Sequence, residues 1–305
     1  MHYSIYYSKE RMIYIMTKLL KDSFSMKDKA GAPLRSHHKP TLWTHTQIIG
    51  GYGLHKNPET GLSELDEVVF ETENMVPIGG VQFAMEQIFG VAGPLVVPSL
   101  SANDGIGATD SKMAGSGGNP HPYGTKVCLF GIGIEGAATN NLTANEVTYM
   151  ETAVSGMIPF RYTNQALSAD DQTRYYGKKQ VNDTTAYYLK TFDQKAVIHN
   201  FKASNIEGED GAEVTNDELN KPMDKQVQSL TEMNLTISRK DIKEWFTSKG
   251  HVEQSCVNSI ALYSAVYDET KKDYTDIHMF SKLNIPTEPM SLTKDMHIIY
   301  RVYGS

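Results

Sequence analysis

Several short stretches of this 305-residue chain carry residue types that can do chemistry, and spacing decides what each is worth. Gly131, Gly133 and Gly136 in GIGIEG meet the G-x-G-x-x-G spacing directly after an apolar strand candidate. In a dinucleotide site such glycines let a pyrophosphate approach the backbone at a helix N-terminus. Here Ala137 to Asn145 lacks apolar helical periodicity and no βαβ unit follows, so glycines relieving crowding in a strand or bulge are expected. His37, His38 and His45 fall within one short segment, but no H-E-x-x-H or C-x-x-C motif accompanies them, and a surface segment accounts for them. Glu207 to Glu218 (EGEDGAEVTNDE) is the strongest acidic cluster; it lacks the residue order of an EF-hand and reads as a solvated loop. Asp170-Asp171 and Asp217-Glu218 offer paired carboxylates of the kind hydrolases use, with nothing in the spacing that places either pair in a cleft. With no G-x-S-x-G elbow, P-loop or cysteine-based signature, the sequence names no catalytic residue, cofactor or metal ligand.

Cys128 and Cys256, the only cysteines, sit in apolar, strand-like surroundings and are expected to be buried free thiols from a reducing compartment. A net charge of -7 argues against a protein that tracks nucleic-acid phosphates, and Lys178-Lys179 and Lys271-Lys272 are isolated pairs expected on solvated turns. The longest apolar run, Ala92 to Leu100, is interrupted by Pro94 and Pro98 and is too short to span a membrane. Met12 to Phe24 lacks the features of a secretory signal and reads as an amphipathic helix or arm. A purine-rich ribosome-binding stretch would encode Lys9-Glu10-Arg11, which predicts a natural start at Met12 or Met16.

The elements that would position these residues are mostly strands. Glu67 to Glu73 is a short strand candidate, a helix is expected after Gly80 with Phe83, Ile88 and Phe89 apolar, and Ser101 to Gly124 is a Gly-rich loop or arm. Strands are then expected at Lys126–Ile134, Glu146–Val154, Thr184–Phe192, Leu230–Ser238, Asn258–Tyr267, Ile277–Leu283 and Met296–Tyr303. In Leu230–Ser238, Met233, Leu235 and Ile237 alternate with Glu232, Asn234 and Thr236, which predicts one buried and one wet face. Ser238, with Asp241 three residues on, has the form of an N-cap for a helix that packs Ile242, Trp245 and Phe246 onto the sheet and ends at Gly250, and Pro286 and Pro289 are expected to break the chain. The expected fold is mainly β: a β-sandwich or barrel-like domain with a few short helices. The expected organisation is an N-terminal arm or helix at 1–46, a mixed segment at 47–125 and a β-rich domain at 126–305.

Seventeen tyrosines and fourteen methionines offer amphipathic and adaptable surface. Trp43, Tyr52, Tyr175, Tyr176, Tyr263 and Tyr267 are the interface candidates; ordinary sheet packing is the alternative for the tyrosines of the β-rich half. Three stretches, Met157–Tyr162, Arg174–Lys179 and Ala186–Phe192, together with Lys243-Glu244-Trp245-Phe246 and the segment Phe280–Tyr303, resemble structural proteins of tailed-bacteriophage virions. The resemblance covers roughly residues 154–303 and rests on packing residues rather than chemistry. It implies a non-catalytic virion component synthesised in the host cytoplasm, at a head-to-tail connector, collar or capsid-associated position, or else in the tail or baseplate. Its implied partners are copies of itself, as a homo-oligomer, and other virion proteins, with no direct nucleic-acid reading and no membrane. Two other classes compete. One is a carbohydrate- or receptor-binding β-module with Trp43, Tyr52 and the Gly-rich loop as its stacking surface; the other is a nucleotide-binding or hydrolytic enzyme.

Overall fold

A computed structural model describes residues 45–72, 76, 78–89, 99–100, 109–110, 125–140, 142–147, 154–202, 227–251, 255–291 and 293–304. In chain order the elements are β1 (His45–Lys56), β2 (Ser63–Thr72), α1 (Ile78–Phe89), β3 (Ser99–Leu100), β4 (Thr109–Asp110), β5 (Lys126–Gly133), β6 (Met157–Ile158) and β7 (Arg161–Thr163). They continue with α2 (Ala169–Gln172), β8 (Tyr175–Val181), β9 (Thr184–Thr191), β10 (Gln194–Lys202), β11 (Val227–Ile237), α3 (Lys243–Ser248), β12 (Cys256–Asp268), β13 (Asp273–Pro289) and β14 (Met296–Gly304). The protein is mainly β, with two antiparallel sheets as in a β-sandwich. One has the order β10-β11-β14-β1-β2; the other runs β4-β3-β13-β12-β5-β9-β7, with β6 on β5 and β8 on β9. Among the described residues no helix is long and apolar enough to cross a membrane.

By compactness the chain divides into Met1–Thr46, His199–Leu230 and Val302–Ser305 on the one hand, and Gln47–Ile198 with Thr231–Arg301 on the other. The first unit is described only at strand ends, where Ser229 Oγ donates to Asn200 Oδ1 at 2.8 Å. The expected N-terminal arm, nearly all of the Gly-rich loop and the acidic cluster lie outside the described residues.

The larger sheet is built on long antiparallel ladders from β12 to β13 and β5. On one face Leu129, Leu189, Tyr263, Ala265, Ile277 and Met279 form a buried cluster. The next residue along β5, Phe130, points to the other face by strand alternation and packs edge-on against Phe160 with centroids 5.0 Å apart. Pro286 does not break the chain: β13 runs on to Pro289. The register shift opposite Val257/Ser259 forms a bulge there, and a bulge has no ladder bond for the proline to remove. Gly250 ends the α3 region in the left-handed conformation, φ +76°, as its position predicts.

Candidate interaction surface and its buried polar support

The expected wet face of β11 is dry. Glu232 and Asn234 are buried, as is Thr236, so the period-two pattern marks two interior faces, one apolar and one polar. Each of these side chains finds partners on other strands, although Asn234 Oδ1 has none among the described residues. The Glu232 carboxylate accepts from Lys56 Nζ at 2.9 Å, Ser63 Oγ at 2.6 Å, the Ser63 amide at 3.1 Å and Arg301 Nε at 3.1 Å. Arg301 also donates to the Ser63 carbonyl at 2.6 Å and to Gln47 Oε1 at 3.3 Å, and Asn234 Nδ2 donates to Ser63 Oγ at 2.8 Å. Burial pushes the Glu232 carboxyl up, but hydrogen bonds from Ser63 and Lys56 and the Arg301 charge outweigh it, so it is held below the ordinary glutamate value.

A second buried pair ties the two sheets. Lys190 on β9 donates to Asp241 Oδ2 at 2.7 Å and to the Thr236 carbonyl of β11 at 2.6 Å. Both side chains of the pair are 0% exposed. The ammonium also lies 5.3 Å from the Tyr175 ring centroid and 5.9 Å from that of Phe160. Tyr175 donates its hydroxyl to Asp241 Oδ1 at 2.6 Å, and burial together with the Asp241 charge keeps that phenol protonated well above its ordinary range. Asp241 also accepts the Ser238 amide at 2.8 Å, so Ser238 and Asp241 do interact, but as a turn preceding α3 rather than as its cap. Ile242 occupies the cap position at φ 57°, a strained setting for a β-branched residue, held by its burial and by its amide bond to the Phe160 carbonyl at 2.7 Å. Of the three expected apolar positions, Ile242 and Phe246 are buried, whereas Trp245 is only half-buried and packs edge-on against Phe246, so its expected burial is corrected.

Outside this pair, Arg161 makes a two-pronged contact with Glu244 at 3.1 and 3.2 Å and a third bond to Asp171 at 3.1 Å. An open hollow of about 400 Å³ is lined by Arg161, Arg239, Lys240, Lys243, Glu244 and Thr293. Glu244 and Asp171 are thus engaged with Arg161. Asp170 and Asp171 lie in the first turn of the four-residue α2, and Ser168 Oγ caps it by accepting the Asp171 amide at 3.2 Å.

The interface candidates fall in different places. Tyr175, Tyr176 and Tyr263 are core residues at 4%, 7% and 0% exposure, which leaves them no contact surface. Tyr267 is 36% exposed and stacks edge-on with Tyr176 and Tyr274, so these tyrosines form one aromatic cluster. Tyr52 is half-buried with Lys294 Nζ 5.4 Å above its ring, and Trp43 lies outside the described residues. The GIGIEG glycines serve close packing: a Cβ on Gly133 would stand 2.0 Å from the Ser155 carbonyl, and one on Gly136 would stand 2.1 Å from that of Asn258. Cys128 and Cys256 are free and half-buried, and burial pushes the Cys128 thiol up to about 11. His37, His38, Asp217 and Glu218 lie outside the described residues, and among those described no three His, Cys, Asp or Glu side chains converge as metal ligands. Lys178 and Lys179 lie in β8 rather than on a turn.

The feature that sequence reading missed is on an edge. β10 ends the five-stranded sheet and exposes Lys195, Ala196, Val197 and Ile198 in succession. Its signal was present as a short apolar run in Gln194–Lys202, but the segment lacks the alternation that picks out half-buried strands. Comparison of the chain with protein-family models, curated proteins and solved structures gives no match.

Proposed function

We propose that this chain is a non-catalytic structural protein of a tailed-bacteriophage virion, present in several copies and acting through contacts with itself and with other virion proteins. The carrying observation is the exposed apolar edge of β10, with Val197 38% and Ile198 67% exposed. Exposed strand edges are normally blunted by charge, proline or cover, because they pair with other chains. An apolar edge with no strand partner among the described residues is a surface suited to completion by another chain. The resemblance of residues 154–303 to virion structural proteins supplies the setting.

The ionisable groups support the same reading. Lys190, Asp241, Glu232 and Arg301 are fixed in the interior by partners on several strands. Such groups lock strands together. Under this proposal, quantitative mass spectrometry of purified particles of the encoding phage finds the chain in a fixed ratio to the other virion proteins. A chain abundant in the infected-cell lysate and absent from purified particles would overturn the proposal.

A further inference from the structure

The five-stranded sheet has two edges with side chains of opposite kinds. β2 carries Glu64, Asp66, Glu67 and Glu71 along its ten residues, with Val68 exposed among them. Repeated acids along an edge repel a second copy of the same edge, which is a guard against pairing. β10 has Lys195 and then three exposed apolar residues, Ala196, Val197 and Ile198. Successive strand residues point to opposite faces, so the strand is uncovered on both faces over this stretch. Its outer side has no strand partner among the described residues.

We propose that β10 docks against β10 of a second copy, antiparallel, about a two-fold axis normal to the sheet. This rests on the assembly reading above and names its partner and contact. Such an axis keeps each side chain on its own face, so a residue stands opposite itself. Centred on Val197, it sets Val197 against Val197, Ala196 against Ile198 and Lys195 against His199. Apolar residues then meet apolar residues, and the two lysines lie at opposite ends of the seam with no like charges opposed. The same operation on β2 would line up four acids from each copy along one seam. Head-to-tail pairing of β10 with a neighbour's β2 is the other option. In an antiparallel five-stranded sheet those two strands share a direction, so copies related by rotation about the strand axis would pair them in parallel, the weaker ladder.

The test uses the full chain with Val197→Cys, and Val68→Cys on the guarded edge as its counterpart. Cβ separations in an antiparallel pair suit a disulfide, so oxidation of V197C gives a cross-linked dimer within the time in which V68C and the unsubstituted chain give none. The unsubstituted comparison accounts for Cys128 and Cys256. Light scattering on the unsubstituted chain finds a concentration-dependent species of twice 34.0 kDa. The double change Val197→Lys with Ile198→Lys abolishes that species while leaving the unfolding temperature nearly unchanged. A monomer at every concentration, or V197C cross-linking no faster than V68C, overturns the proposal. Cross-linking only in a mixture of V197C and V68C overturns it in favour of head-to-tail pairing. Particle composition decides the virion reading separately: a chain found in virions without a V197C dimer rejects the edge alone.

Discussion

β10 and β11 are neighbours in one sheet, and both break the rule that apolar side chains go inside and polar ones outside. β11 buries Glu232, Asn234 and Thr236, while β10 exposes Ala196, Val197 and Ile198. The difference lies in where the partners come from. For β11 they are supplied within the chain by Lys56, Ser63 and Arg301, with Lys190 on its Thr236 carbonyl. For β10 no strand among the described residues supplies them on its outer side. The contrast teaches that an unusual side chain is a question about its partner; under the proposed function, β10 finds that partner in a neighbouring copy.

The largest expected effect comes from removing one member of a fully buried pair. Lys190→Met leaves Asp241 charged and without its cation, and the chain loses about 3–5 kcal/mol of stability in urea unfolding. A loss below about 1 kcal/mol would show that Tyr175 and the Ser238 amide alone hold the carboxylate. Arg301→Met follows, with a loss of about 2–3 kcal/mol, because Glu232 keeps Lys56 and Ser63. An effect as large as that of Lys190→Met would mean that the two networks are equally indispensable.

The Glu232 network also sets a pH response. Its carboxyl is held below the ordinary glutamate value in the folded chain, so its contribution is fully present above that ordinary value and is lost as pH falls through the lower folded-state value. Urea midpoints measured from pH 7 down to pH 3 therefore fall more steeply for the unsubstituted chain than for Glu232→Gln. Parallel curves would place the acid response in other carboxylates. Smaller still is Trp245→Ala, at about 1 kcal/mol, because Phe246 holds the buried position. At the bottom of the scale, Val197→Lys with Ile198→Lys changes stability by no more than about 0.5 kcal/mol, although it removes self-association.

The sequence made the strands legible wherever alternation or aromatic and β-branched enrichment was strong. β5, β9, β11, β12 and β14 all fall where those signals put them. The faces were harder. Alternation in β11 told polar from apolar correctly, but burial of the polar face depended on Arg301, Ser63 and Lys56, each distant in sequence. No local pattern contains that information. The left-handed Ile242 likewise hid the point where α3 starts, because a β-branched residue gives no hint of positive φ. Tyr175, Tyr176 and Tyr263 were readable as sheet residues but not as core residues, since tyrosine suits both settings. The β10 edge was invisible for a different reason: edge position is a property of the strand order, which the sequence does not state.

The most direct test of the account is hydrogen exchange at β10 and β11, measured on dilute protein and on the protein within purified particles. The account predicts that the outward amides of Gln194 to Asn200 exchange quickly in dilute solution and become protected in the particle, while those of β11 stay protected in both. Equally fast exchange at β10 in both states would contradict the claim that a neighbouring chain completes this edge.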